Sequence, residues 1–197
     1  MLEKYRNLVK IYIFALIIFN IVIIINYYRF KENFSNLQGL NTFSHFYYLK
    51  NENINKFIQK NKNHTLLDNI DKDKIDIVKL SNKIENYKNI IDNAIKNKYN
   101  NIVIIESTFI PNYKNNIINK RIDEFLNRFQ NDWDIILFNS NNTKSTIIYN
   151  GCNSVRETDI PNAFIINKKF YKAFKNNITN INNIINKSKM YIFDPSL

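Results

Sequence analysis

Tyr99 to Pro111 reads Tyr-Asn-Asn-Ile-Val-Ile-Ile-Glu-Ser-Thr-Phe-Ile-Pro, and it constrains the fold more than any other stretch. Ile102 to Ile105 is an unbroken, mostly β-branched apolar run. It is too short for a buried helix and suits a central strand covered on both faces. It stops at an acid, Glu106, followed by the hydroxyls of Ser107 and Thr108. In open α/β sheets ligands bind beyond the carboxyl ends of the strands. A polar site is therefore expected at Glu106, against the plainer reading of a solvated strand end.

The flanking pattern alternates. Ser44 to Lys50 reads as a strand, Glu52 to Asn61 as a short helix, and Ile75 to Leu80 as a second strand. Ser81 is the expected N-cap of a helix running to about Lys98, with Ile84, Tyr87, Ile91, Ala94 and Ile95 as its apolar positions. After the central strand, Asn116 to Gln130 is amphipathic through Ile117, Ile118, Ile122, Phe125, Leu126 and Phe129. Asp132-Trp133-Asp134 leads into a strand at Ile135 to Phe138. Asn139 to Asn162 is long and polar, with one short strand at Thr146 to Tyr149. Ala163 to Ile166 is apolar, Lys168 to Lys175 and Asn180 to Lys187 are helical, and Met190 to Phe193 is a last strand. This alternation predicts an α/β domain with a mostly parallel sheet and flanking helices.

The asparagines, isoleucines and lysines that dominate the chain share A/T-rich codons, so genome bias accounts for part of the net charge of +11. The lysines are dispersed, and the arginines are Arg6, Arg29, Arg121, Arg128 and Arg156. There is no basic stripe interleaved with aromatics, so nucleic acid is not an expected partner. Cys152 is the single cysteine, which excludes an internal disulfide and cysteine-type zinc sites. A lone cysteine of this kind reads as a small buried residue. Asp68, Asp71 and Asp73 form no calcium loop, because no glycine stands at the turn and no glutamate closes it. No glycine-rich phosphate loop or dinucleotide fingerprint is present.

Ile11 to Ile25 is nearly continuous apolar sequence. With Leu8, Val9, Tyr27 and Tyr28 it reaches about 20 residues, the length of a bilayer span. Tyr12, Tyr27 and Tyr28 suit the interfaces, and Asn20 is a tolerable interior polar residue. No small-residue cleavage site follows, so a membrane anchor fits better than a signal peptide. Lys4, Arg6 and Lys10 precede it and Arg29 and Lys31 follow, favouring a cytoplasmic N-terminus and a lumenal or extracytoplasmic domain, the type II single-pass arrangement. The expected organisation is a tip and anchor over residues 1–28, a stem over 29–42 and the α/β domain over 43–197. Sequons at Asn33, Asn63, Asn141, Asn177 and Asn186 agree with a lumenal domain only weakly, because asparagine is so abundant.

The order of these motifs resembles glycosyltransferase family 25, the group of the lipooligosaccharide and procollagen galactosyltransferases. That family carries a strand ending in Glu-Asp-Asp, a helix, then Trp-Asp and an apolar strand. Here Glu106-Ser107-Thr108 stands for the acidic motif and Trp133-Asp134 matches. Tyr48 stands where the opening strand has Asn, Asn55 where an Arg follows, and Leu80-Ser81-Asn82 resembles a Ser-His helix start. Ala163 to Lys168 and Tyr191 to Leu197 are similar to late segments of the family.

The resemblance implies a GT-A type nucleotide-diphospho-sugar transferase fold and transfer of a hexose from a nucleotide sugar to a glycan or protein acceptor. It implies Glu106 and Asp134 as catalytic acids, Glu106 as ligand of Mn²⁺ or Mg²⁺, and Tyr48, Ser81 and Asn82 in the nucleotide-sugar pocket. A divalent cation would neutralise the leaving diphosphate, and hard cations want carboxylate oxygens. Ser107 and Thr108 offer neutral hydroxyls where the family has aspartates. Two readings follow: an active membrane-anchored transferase, or a catalytically inactive relative, needing no cofactor, kept for binding or structure. A third, an unrelated anchored α/β domain, applies if Glu106 and Asp134 do not share a cleft.

Overall fold

The computed structural model describes residues 16, 18–24, 39–50, 67, 70–109, 115–139, 143–149, 152–159 and 161–193. The chain divides into two compact units, Met1–Leu37 and Gln38–Leu197. In the first, residue 16 and residues 18–24 are helical, and Asn20 Nδ2 donates to Leu16 O at 2.8 Å. Among the described residues no helix is long and apolar enough to cross a membrane. Most of the expected span lies outside the described residues, as do residues 29–38 of the expected stem and the expected helix at Glu52 to Asn61; the last four stem residues, Gly39–Thr42, form a turn of 3₁₀ helix in the second unit.

The second unit is α/β. Its strands are β1 (His45–Lys50), β2 (Ile75–Lys79), β3 (Asn101–Glu106), β4 (Ile135–Asn139), β5 (Lys144–Tyr149), β6 (Cys152–Glu157), β7 (Ala163–Asn167) and β8 (Met190–Phe193). They form one sheet in the order β2-β1-β3-β7-β4-β8-β6-β5. The pairs β1–β2, β1–β3 and β4–β8 are parallel, whereas β3–β7, β4–β7, β5–β6 and β6–β8 are antiparallel. The sheet is thus mixed and not mostly parallel. β7 runs against both of its neighbours, and β6 and β5 extend the sheet as an antiparallel hairpin within the polar stretch expected to hold a single short strand.

Four α-helices accompany the described strands: α1 (Lys83–Lys96), α2 (Asn115–Phe129), α3 (Tyr171–Asn177) and α4 (Ile181–Lys187). Because strand side chains alternate, each central strand feeds both faces of the sheet. Tyr47, Leu49, Ile102, Ile104, Ile135, Leu137, Phe164, Ile166, Met190 and Ile192 face α1, α3 and α4 through Tyr87, Ile90, Ile91, Phe174 and Ile184. Phe46, Val103, Ile105, Ile136, Phe138, Ile165, Tyr191 and Phe193 form the other face, covered by Ile118, Ile122 and Phe125 of α2 and by Trp133. In α1 the buried apolar positions are Tyr87, Ile90, Ile91 and Ala94, while Ile95 is exposed and not part of the core. Trp133 is fully buried edge-on to Phe43 and Phe125, and its indole donates to Gln130 O at 2.9 Å.

Two backbone details fix helix ends. Lys98 (φ 58°) and Gln130 (φ 49°) are left-handed just beyond α1 and α2, where such residues close helix C-termini. At the start of the unit, Gly39 (φ 47°) donates its N–H to Asp123 Oδ1 at 2.8 Å. A Cβ there would lie 2.4 Å from the Asn119 side chain, so only glycine allows this close docking onto α2.

Candidate functional site

β1 has β2 on one side and β3 on the other, and α1 joins β2 to β3. The chain therefore reverses its direction of travel at β1, making a topological switch point at the carboxyl ends of β1 and β3. Leu49 and Glu106 are register partners there. The edge is stitched by Ser107 N donating to Leu49 O at 2.9 Å and Leu80 N to Lys50 O at 3.0 Å. Glu106 N donates to Asn162 O at 2.7 Å, tying in the turn before β7.

Glu106 stands where the sequence put it but is not a solvated strand end: it is 4% exposed. Lys83, the first residue of α1, sets its Nζ 2.6 Å from Glu106 Oε1. The Tyr87 hydroxyl, one helical turn on, donates to the same oxygen and also lies 3.3 Å from Pro161 O. Lys83 Nζ further donates to Asn162 Oδ1 at 3.3 Å. Burial first, and then the Glu106 charge beside it, push the Tyr87 phenol well above the usual tyrosine range, so it stays a donor. Sequence reasoning missed both partners. Tyr87 read as a core position, which it also is, edge-on to Phe164 at 5.4 Å. The Lys83–Tyr87 spacing of one helical turn was the available signal.

The other expected site residues divide between this edge and elsewhere. Ser81 and Asn82 are exposed at the start of α1. Asn82, not Ser81, is the N-cap, its side chain accepting from Glu85 N at 3.2 Å. Ser81 instead donates its N–H to Asn86 Oδ1 at 3.1 Å. Tyr48 is half-buried on the same edge, but it packs with the α2-side cluster, on the opposite sheet face from Tyr87. Asn55 lies outside the described residues.

Asp134 is not in this site. Ile135 pairs with Ile166, which pairs with Ile102, so Asp134, just before β4, lies in the row of Asn101, the first residue of β3. Glu106 is five residues further along β3, about 16 Å at roughly 3.3 Å per residue. The two acids lie at opposite ends of the strands, Glu106 at the carboxyl end of β3 and Asp134 at the entrance of β4, and share no cleft. Asp134 accepts from Lys189 N at 2.8 Å and pairs with Lys169 Nζ at 3.3 Å. These contacts bind the entrance of β4 to that of β8 and to the segment after β7, a structural task.

The residues around Glu106 do not fit a divalent cation. The Oε1 oxygen that a metal would want already holds an ammonium and a phenol. Ser107 and Thr108 add no carboxylate. Among the described residues no group of three or more His, Cys, Asp or Glu side chains could hold a metal ion. What this arrangement can do chemically is fix a buried carboxyl group between two segments, with a partly exposed lysine above it.

No family model and no curated protein matches the chain. Among solved structures, the crystal structure of A197 from STIV is similar over 77% of this chain and 82% of that one, at 9% identity and a TM-score of 0.44. Likeness at that level carries no argument about fold family or chemistry.

Proposed function

We propose that residues 43–197 are a glycosyltransferase-like domain of GT-A type that does not carry out metal-dependent sugar transfer and serves as a binding or structural module. The observation that carries this reading is the Glu106 carboxylate, buried and engaged by Lys83 and Tyr87. The alternating α/β order and the switch point at the strand that bears Glu106 support the glycosyltransferase-like part. Glu106 as the single acid of its motif supports the loss of catalysis, since an essential metal carboxylate is worth several decades of rate.

The domain is tethered to a membrane by the apolar segment within residues 1–28, with the domain lumenal or extracytoplasmic. The apolar sequence of Ile11 to Ile25 supports this, as does the helical state of residues 18–24, in which Asn20 satisfies its own amide.

The test is calorimetric titration of the full chain in detergent with UDP-sugars, with and without Mn²⁺. Binding that is the same in both states is expected. Binding that requires Mn²⁺ and disappears in Glu106→Ala would restore the active transferase.

A second reading, an α/β domain unrelated to glycosyltransferases, is favoured by the separation of Glu106 from Asp134. No binding in either metal state, from folded protein, would select it.

A further inference from the structure

We infer that Asn186 is an N-glycosylation site, modified while the hydroxyl of Ser188 is still free of the fold. The inference rests on the lumenal placement proposed above and goes beyond it, because it selects one asparagine.

The sequence offers sequons at Asn33, Asn63, Asn141, Asn177 and Asn186 and gives no reason to prefer any of them. The structure separates the two that lie among the described residues. Asn177 is half-buried at the end of α3, and its Nδ2, the atom a glycan would occupy, donates to Ala173 O at 2.8 Å. Asn186 is exposed in the last turn of α4. With Asn182 and Asn183, one helical turn earlier, it makes the outward face of that helix, while Ile184 and Ile185 are buried. A glycan on Asn186 therefore extends into solvent and displaces no packed group.

Ser188 supplies the second observation. α4 ends at Lys187, and Ser188 is extended (φ −126°, ψ 151°), leading the chain towards β8. The Ser188 hydroxyl is buried and has no hydrogen-bond partner among the described residues. A buried hydroxyl without a partner is a net cost to the fold, which alanine would avoid. Folding thus gives no reason for a serine here, whereas glycosylation does. A sequon needs a hydroxyl two residues after the asparagine, with any residue but proline between them. Here Lys187 is the residue between. The hydroxyl is needed on the unfolded chain, before burial withdraws it.

The donor class is an oligosaccharide carried on a polyprenyl diphosphate. The Asn186 amide nitrogen bonds to the anomeric carbon of the sugar. The bond from that carbon to the diphosphate oxygen breaks, and the polyprenyl diphosphate leaves. The amide loses one proton to a base of the transferring enzyme in the lumen, so this chain is the acceptor alone.

The test is translation of the full chain into sealed microsomes. Glycans are counted by gel mobility before and after peptide N-glycosidase, and orientation is read by protease added outside the vesicles. The domain should be protected. Asn186→Gln and Ser188→Ala should each carry one glycan fewer than wild type, and Ser188→Thr should match wild type. Glycans are added as the chain is made, so none of these counts needs the variant to fold. A protected domain whose glycan count is unchanged in Asn186→Gln would overturn the inference and leave the lumenal reading standing. Digestion of the domain in sealed vesicles would overturn the lumenal reading and the inference with it. A loss in Asn186→Gln that Ser188→Ala does not reproduce would overturn the role given to Ser188.

Discussion

A buried acidic group can be held by polar partners or kept neutral by apolar surroundings, and this domain has one of each. Glu106 is held by Lys83 and Tyr87. Cys152 is the second: it is fully buried in the α2-side cluster, and burial pushes its thiol from an ordinary value of 9.0 to about 11, against the opposing pull of Tyr149 and Arg128. A folded pKa above the unfolded one means that folding favours the neutral thiol. Its contribution to stability is complete below about pH 9 and is lost as pH rises through 11. Urea unfolding of wild type and Cys152→Ala should therefore show a difference in stability that is constant from pH 6 to 8 and shrinks between pH 9 and 11. A constant difference up to pH 11 would contradict this assignment. The burial of Cys152 was legible in the sequence, and so was the location of Glu106, because both follow from residue type and strand pattern. The partners of Glu106 were not, since Lys83 and Tyr87 reach it across a crossover that periodicity does not describe. Asp134 shows the converse error: it lies at the opposite end of the strands from Glu106, because Asp134 precedes β4 whereas Glu106 ends β3.

At the scale of elements, the abundant asparagine becomes useful. Asn82 caps α1, Asn180 caps α4, and Asn167 caps the short turn of 3₁₀ helix at Lys168–Phe170. Each offers a carbonyl oxygen to an otherwise unpaired backbone N–H, the common role of Asn at helix starts. Sequence reasoning chose Ser81 over Asn82 because both are good caps and stand side by side. The hydrogen bond to Glu85 N decides for Asn82. Asn82→Ala should cost about 1 kcal/mol in chemical denaturation, and Ser81→Ala should cost less than half of that. Equal costs would show that the cap is shared.

Strand detection succeeded where apolar residues cluster, as in β3, β4 and β8. It failed for β6, Cys-Asn-Ser-Val-Arg-Glu, where Cys152 and Val155 are the buried positions and the rest is polar. The antiparallel course of β7 was illegible for a different reason. Ala163 to Asn167 is buried along its whole length, and a strand covered on both faces reads the same in either direction.

The whole second unit is organised by a sheet whose central strands belong to two cores at once. Ile104 and Ile105, Phe164 and Ile165, and Ile136 and Leu137 are adjacent pairs that enter opposite faces. Neither core can lose its packing without loosening the backbone that supports the other. Equilibrium unfolding of this unit should accordingly be one transition, as small single domains show. Phe164→Ala tests this, because Phe164 is fully buried on the α1 face, edge-on to Tyr87 and 5.7 Å from Phe174. The cavity should cost about 3–5 kcal/mol, which for a domain of this size lowers Tm by roughly 2–4 °C per kcal/mol. Trp133, the single tryptophan, reports the opposite face, packed on Phe43 and Phe125. Its fluorescence melt should fall by the same amount as the far-UV circular dichroism melt, although the substitution removes no atom from its own cluster. A Trp133 transition that stays at the wild-type temperature while the circular dichroism midpoint falls would mean that the faces unfold separately. The contacts of Glu106 with Lys83 and Tyr87, which belong to the α1 face, would then be lost without disturbing the α2 side.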